Sequence, residues 1–252
     1  MTRIYVIFSL LLLNYSSYYS QSIDNSTISA IDTVELYDQV RQRKIPIAIY
    51  HSTNEKTNHK KLVIISHGYN QNEGRPYLGY SFIANLLASK GYFVVSIQHE
   101  LPIDSLIPLT GVPKIVRRPF WERGADNILF VLNELKKSNP ELDFKHITLI
   151  GHSNGGDMAV LFSQKYPKII DKIITLDNRR MALPRTKKPK IYSLRSSDQV
   201  ADKGVLPTEA EMRKFGIKII PLTNTKHNEM SDNASEEQQK EIQNYILTFL
   251  RD

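Results

Sequence analysis

The chain has 252 residues, of which 41% are hydrophobic and 23% charged, an ordinary globular composition long enough for one domain with a full core. It contains no cysteine, which excludes disulfides, thiolate metal sites and lipid attachment through cysteine. The formal net charge of +7 comes from basic residues spread along the chain, without a basic helix or an aromatic–basic platform. This pattern predicts a solvated surface and no nucleic-acid partner.

The N-terminus has the pattern of an export signal. Arg3 precedes an apolar run over residues 4–13 and a small polar tract over residues 14–22. Ten apolar residues are too few to span a bilayer but are typical of a secretory signal. We therefore predict a signal peptide at residues 1–20, a secreted or periplasmic location, and no stable membrane insertion after cleavage. An uncleaved anchor or a buried first strand is the alternative.

The first half of the remaining chain predicts an edge hairpin followed by a βαβ unit. Residues 21–30 are polar and predicted to be flexible, and the folded domain is expected at residues 31–252. Apolar alternation at residues 34–37 and 45–51, around the charged turn 42–44, indicates an antiparallel hairpin. The wholly apolar runs 62–65 and 93–97 are typical of strands buried on both faces, with a helix at residues 82–87 between them.

The second half continues the same alternation. It predicts helices at residues 128–135, 158–162 and 235–250, and strands at residues 147–150, 169–176, 191–194 and 217–222. Ser235 and Gln238 form a capping-box pattern at the start of the last helix. The fold class is therefore α/β: about eight mostly parallel strands flanked by helices, in one domain. The basic stretch 178–190 is too short for a large cap domain; we favour a solvated loop there over an anion-binding one.

The strongest functional motif is Gly-His-Ser-Asn-Gly-Gly at residues 151–156. A predicted strand enters it and a predicted helix leaves it, which is the context of a nucleophile elbow. Such a turn strains the backbone of Ser153, and glycines at 151 and 155 let the strand and helix approach closely. The serine hydroxyl then lies at the positive end of the helix. We predict that Ser153 is a nucleophile.

A serine nucleophile needs a base and a group that orients the base. In this strand–turn–helix context the chain order is serine, acid, histidine, and His227 is the only histidine after Ser153. Three aspartates are candidates for the acid. Asp198 follows the strand at 191–194 and is favoured; Asp177 ends the strand after the nucleophile's helix, and Asp202 lies in a loop.

The remaining site residues are assigned from their positions beside these three. An oxyanion needs two amide donors, and we expect them at Asn154, after the nucleophile, and at Tyr69, in the loop after the strand at 62–65. The segment 100–120 is apolar and contains four prolines. We predict that its residues Leu106 and Ile107 line the substrate pocket, although packing on the sheet is the alternative.

Taken together, these motifs resemble the α/β-hydrolase superfamily. The tract Ser66-His67-Gly68, the sequence Leu-Ala-Ser-Lys-Gly-Tyr-Phe-Val-Val at 87–95 and the stretch 123–132 are similar to the platelet-activating-factor acetylhydrolase and dienelactone-hydrolase-like branch. The resemblance covers nearly all of the mature chain. It implies the nucleophile Ser153, the acid Asp198, the base His227, and oxyanion donors Tyr69 and Asn154. Arg195 departs from the glycine that many relatives have in a Gly-x-x-Asp turn.

The sequence thus predicts a serine hydrolase that cleaves a small-molecule carboxylic ester, of the acetyl or short-acyl class, through an acyl-enzyme. No metal or organic cofactor is implied. A peptidase or amidase on the same three residues, and an inactive relative that only binds a ligand, are the alternatives. The sequence leaves the acyl-chain length and the oligomeric state open.

Overall fold

An eight-stranded sheet forms the centre of the protein. A computed structural model describes residues 29–52 and 60–252. The strands are β1 (Ser29–Asp38), β2 (Arg43–Ser52), β3 (Lys61–Ser66), β4 (Phe93–Ile97), β5 (Asp143–His152), β6 (Ile170–Leu176), β7 (Lys190–Arg195) and β8 (Lys218–Pro221). Their order across the sheet is β1-β2-β4-β3-β5-β6-β7-β8.

Helices cover both faces of this sheet. They are α1 (Ser81–Ser89), α2 (Pro113–Val116), α3 (Arg118–Ser138), α4 (Ser153–Lys165), α5 (Glu209–Phe215) and α6 (Glu236–Arg251). One apolar core contains Trp121 of α3 and Phe162 of α4, and a second contains Leu87 of α1 and Phe249 of α6. In the described part of the chain, no helix combines the length and the apolar composition that crossing a bilayer requires.

The direction of the strands places the carboxyl ends of the parallel strands on one edge of the sheet. β1 pairs with β2 and β2 with β4 in antiparallel fashion, whereas every other neighbouring pair is parallel. β3 and β4 are apolar along almost their whole length because helices bury both of their faces. The carboxyl ends of β3, β5, β6, β7 and β8 therefore meet at the same edge, where ligands bind in open α/β sheets.

The predicted hairpin, βα alternation and α/β class are confirmed, with three differences. β1 begins at Ser29, two residues inside the segment predicted to be flexible, because Ser29 pairs with Ser52. The predicted signal at residues 1–20 lies outside the described residues. The second difference is that the segment 100–120 contains α2 and the start of α3. Each of these helices has a proline in its first turn, where no amide hydrogen is needed.

The third difference is the unpredicted helix α5 between β7 and β8. It begins with a capping box in which the Thr208 hydroxyl accepts from the Glu211 amide and the Glu211 carboxylate accepts from the Thr208 amide. The Thr-x-x-Glu pattern at 208–211 was a readable signal for it. The predicted capping box of α6, Ser235 with Gln238, is present.

Candidate active site

The turn between β5 and α4 has the geometry of a nucleophile elbow. β5 ends at His152, α4 begins at Ser153, and Ser153 has a φ of 51°, which is a strained value for a residue with a side chain. A Cβ at Gly155 would lie 2.3 Å from the Ser66 carbonyl oxygen, and one at Gly151 would lie 2.5 Å from the Gly155 oxygen. Only glycine allows α4 to approach β3 this closely.

His227 lies between Ser153 and a buried carboxylate. Its Nε2 is 2.9 Å from the Ser153 Oγ, and its Nδ1 is 2.5 Å from Oδ2 of Asp177. Because a carboxylate only accepts hydrogen bonds, the Nδ1–H donates to Asp177 and Nε2 is free to accept from the serine hydroxyl. This is the tautomer that a serine nucleophile requires. His227 follows β8 on a 3-10 turn, His227–Glu229.

The acid beside His227 is Asp177, so the preference for Asp198 is corrected. Asp198 is exposed, and its Oδ1 accepts the backbone N–H of His227 at 2.7 Å, which holds the loop but not the imidazole. Asp202 forms an ion pair with Arg180. β6 lies between β5 and β7 in the sheet, so the residue after β6 is the one brought next to the elbow.

Four groups converge on the Asp177 carboxylate, three as hydrogen-bond donors and one as an ion-pair partner. Besides His227, these are Arg195, whose Nη2 is 2.6 Å from Oδ1, and the amide and hydroxyl of Ser196, at 3.2 and 2.7 Å. Burial raises the pKa of Asp177, but the hydrogen bond from His227, the Arg195 charge and the Ser196 bonds hold it below its ordinary value. Asp177 has a φ of 58°, a left-handed conformation that aspartate tolerates better than most residues.

The contacts of Arg195 explain why this chain has arginine at a position where many proteins of the similar branch have glycine. It ends β7, is buried, and donates from Nη1 to the Asn178 carbonyl at 2.7 Å while it pairs with Asp177. In this chain the end of β7 therefore supplies a cation to the acid, and the acid itself comes from the end of β6. No local pattern indicates this pairing, because Asp177 follows β6 and Arg195 ends β7.

His152 connects the loops on either side of the elbow. Burial lowers its pKa to about 3, so the ring is neutral. Its Nε2 is 2.9 Å from the His227 carbonyl oxygen, which can only accept, so Nε2 carries the hydrogen and Nδ1 accepts from the Tyr80 hydroxyl at 2.7 Å. The Tyr80 hydroxyl in turn accepts the Gly68 amide at 3.0 Å. His152 thus fixes the His227 loop relative to the Gly68 loop.

Asn154 is held by two residues that sequence reasoning did not identify. Its Oδ1 accepts from the Trp121 indole at 2.8 Å, and its Nδ2 donates to Glu100 Oε1 at 3.0 Å. The Asn154 amide belongs to the first turn of α4, where helical amides have no intrahelical acceptor. Burial raises the pKa of Glu100 to about 7. The signals in the sequence were the single tryptophan of the chain and an acid three residues after a buried strand.

The loop after β3 contributes Tyr69 beside the elbow. His67 anchors this loop: its Nδ1 donates to the Gly68 carbonyl at 2.8 Å and its Nε2 accepts the His99 amide at 3.0 Å, and burial lowers its pKa to about 4. Among the described residues the Tyr69 amide has no acceptor, and the Tyr69 hydroxyl accepts from the Ile107 amide at 3.1 Å.

A cleft of about 420 Å³ lies beside these residues. Its wall includes Gly68, Tyr69, Tyr80, His152, Asn228 and Asp232. Ile107 is buried and Leu106 is 62% exposed, and neither lines this cleft, so their contact with substrate stays a prediction. A separate cavity of about 500 Å³ lies at the β1–β2 edge, and neither space is lined by Ser153, Asp177 or His227. We assign the chemistry to the cleft because its wall includes His152 and Asn228, the sequence neighbours of Ser153 and His227.

The basic loop after Asp177 is tied to its surroundings. The Asp157 carboxylate on α4 accepts the amides of Arg180 and Met181 at 3.0 and 2.8 Å, and burial raises its pKa to about 6. Arg179 donates to Gln199, and Arg185 donates to the Leu206 carbonyl at 2.8 Å. These contacts favour a structural role for the arginines. Within residues 29–52 and 60–252, no three His, Asp or Glu side chains are grouped as metal ligands.

Comparison with solved structures identifies the fold. An esterase of the fungus Rhizomucor miehei superimposes with a TM-score of 0.62 at 11% identity, covering 89% of this chain and 84% of that one. The dienelactone hydrolase-like promiscuous phosphotriesterase P91, from metagenomic libraries, gives 0.65 at 14% identity, with 88% and 98% covered. A bacterial heroin esterase gives 0.61 at 12% identity, with 88% and 84% covered. No protein-family model and no curated protein matches the sequence. The chain has the α/β-hydrolase fold.

Proposed function

We propose that this protein is a serine hydrolase that cleaves carboxylic esters through an acyl-enzyme on Ser153. One observation carries the proposal: His227 lies within hydrogen-bonding distance of both the Ser153 hydroxyl, at 2.9 Å, and the Asp177 carboxylate, at 2.5 Å. This chain of contacts is the arrangement that nucleophilic catalysis by serine requires. The strained backbone at Ser153 supports the same reading, because such strain is retained where function needs it.

The proposed reaction follows from the proton positions. Ser153 Oγ attacks the ester carbonyl as its proton passes to His227 Nε2, and the imidazolium is stabilised by Asp177. The amides of Asn154 and Tyr69 donate to the carbonyl oxygen as it becomes an oxyanion. The C–O bond then breaks, the leaving alcohol takes the proton from Nε2, and the acyl group stays on Ser153. Water, deprotonated by His227, attacks this acyl-enzyme, releases the acid and restores the serine.

Two further observations support ester cleavage. Two of the proteins that superimpose on the chain, at 11% and 12% identity, are described as esterases, which favours an ester as the substrate class. The cleft whose wall includes His152, the residue before Ser153, is bounded by polar groups such as Asn228 and Asp232, which suits a polar alcohol as the leaving group. An amide substrate on the same three residues is the competing reading.

A fluorophosphonate probe tests the nucleophile. It should label the wild-type protein at Ser153 and leave Ser153→Ala unlabelled, with peptide mapping to locate the adduct. Ester hydrolysis by Ser153→Ala should fall on the order of a million-fold, since only the oxyanion donors and binding remain. An unlabelled wild-type protein would mean that the site only binds a ligand. A panel of acetyl to octanoyl esters beside peptide anilides then separates esterase from amidase.

A further inference from the structure

An exposed apolar surface lies on the chain segment next to the candidate site. The structure leaves ten large hydrophobic side chains exposed in its described part, and five of them fall between residues 103 and 115. We call these five the apolar segment: Ile103, Leu106, Leu109, Val112 and Ile115, with exposed fractions from 59% to 89%. Concentrated exposure of this kind marks an interaction surface, whereas single exposed side chains do not.

The apolar segment is held in place, so its exposure is not that of an unattached loop. Asp104 accepts two hydrogen bonds from Arg43, both 2.7 Å long, and its carboxylate also accepts the Leu101 amide at 2.7 Å. Asn72 donates to the Asp104 carbonyl at 2.8 Å. The backbone therefore presents these side chains to solvent against the hydrophobic effect, which acts to bury them. A partner that covers them would remove this cost.

The same segment borders the proposed catalytic residues at two points. The Ile107 amide donates to the hydroxyl of Tyr69, whose loop carries a proposed oxyanion donor. After the segment, the chain enters α3, where the Trp121 indole donates to Asn154, the residue that follows Ser153. A partner bound to the apolar segment would therefore lie beside the site.

The charge around the segment favours an anionic surface. From residue 105 to residue 121 the chain contains no acid and three basic residues, Lys114, Arg117 and Arg118. The flanking acid Asp104 is paired with Arg43, and Glu122 is paired with Arg118 and Lys165. Because Arg118 is already paired with Glu122, the cations of this stretch that form no ion pair with the described residues are Lys114, which is exposed beside the exposed Ile115, and Arg117, which is half-buried.

The chemistry of these side chains points to lipid and not to protein. We propose that the apolar segment docks the protein peripherally on an anionic lipid–water interface, so that Ser153 receives amphiphilic esters from that interface. Aliphatic side chains with neighbouring basic residues match the apolar and anionic layers of such a surface. Centres of protein–protein interfaces are instead enriched in aromatic residues and poor in leucine and valine. The inference rests on the proposed function for its substrate but not for its binding step.

Vesicle co-sedimentation of the Ser153→Ala protein tests the binding step without catalysis. We expect it to bind vesicles that contain phosphatidylglycerol, and to bind neutral phosphatidylcholine vesicles several-fold more weakly. Leu109→Asp/Ile115→Asp should lower the partition coefficient by about tenfold or more, and Lys114→Gln, which removes one positive charge, by about fivefold on the anionic vesicles only. Val40→Asp is the matched control, since Val40 is 94% exposed in the β1–β2 turn, and it should leave binding unchanged.

Catalysis distinguishes this inference from the proposed function. In otherwise wild-type protein, Leu109→Asp/Ile115→Asp should hydrolyse a dissolved acetyl ester at the wild-type rate but lose about tenfold on an ester dispersed in anionic vesicles. Loss on both substrates, with a normal thermal midpoint, would place these side chains in the site and overturn the docking role. No vesicle binding, or a dimer in solution that the double variant dissociates, would also overturn it. A protein that binds vesicles but cleaves no ester keeps the docking surface and rejects the esterase.

Discussion

Replacing Asp177 with asparagine isolates the group that orients His227. The carboxylate accepts three hydrogen bonds, including one from Nδ1 of His227 at 2.5 Å, and forms an ion pair with the Arg195 guanidinium at 2.6 Å. An amide has one oxygen acceptor and presents a donor, so the imidazole is driven to the tautomer that carries its hydrogen on Nε2. That tautomer cannot accept the Ser153 proton. We expect kcat to fall about 10⁴-fold, as the same change does in serine proteases, or roughly 5.5 kcal/mol in the barrier.

The same substitution leaves Arg195 buried without an anionic partner, so stability must be measured together with activity. Losing one partner of a buried pair costs about 3–5 kcal/mol, and urea unfolding should reveal it. Asp198→Asn is the matched control. Asp198 is exposed, and an asparagine oxygen still accepts the His227 amide, so kcat should change by less than about tenfold. Steady-state ester hydrolysis by folded protein decides between them. A large loss in Asp198→Asn with a small one in Asp177→Asn would refute the assignment.

Three other predictions concern the buried acid, the elbow and export. Because burial raises the pKa of Glu100 to about 7 from an ordinary 4.5, the native state binds this proton more tightly than the unfolded chain does. Glu100 alone should therefore lower the unfolding free energy by on the order of 3 kcal/mol as pH rises from about 4.5 to 7, so the stability difference between the wild type and Glu100→Gln should shift by this amount between urea titrations at the two pH values; parallel pH dependences would contradict it. Gly155→Ala should lower the urea midpoint and activity together, since its methyl group would lie 2.3 Å from the Ser66 oxygen; an unchanged midpoint would mean that the elbow relaxes freely. Mass spectrometry of exported protein should find a mature N-terminus near Gln21, whereas an intact Met1 in the membrane fraction would indicate an anchor.

Local patterns in the sequence were enough to predict the fold class and to single out Ser153 and His227, which the structure brings within hydrogen-bonding distance. The spacing of apolar residues shows which side chains are buried, and a helical or two-residue period distinguishes helices from strands. The glycines around Ser153 are needed because the strand and helix approach each other closely within one turn. The elbow could therefore be predicted without knowledge of the rest of the chain. His227 was identified by chain order, because no other histidine follows Ser153.

The acid and the residues that support the site were decided by tertiary structure. Asp177 and Asp198 each follow a parallel strand, and both strands end at the same edge of the sheet, so chain order allows either. Only the packing of β6 beside β5, and the Arg195 charge that β7 brings to the carboxylate, place Asp177 at the imidazole. Glu100 reaches Asn154 across 54 positions of sequence. Contacts between such distant residues depend on how whole strands and helices pack, and no local pattern encodes them.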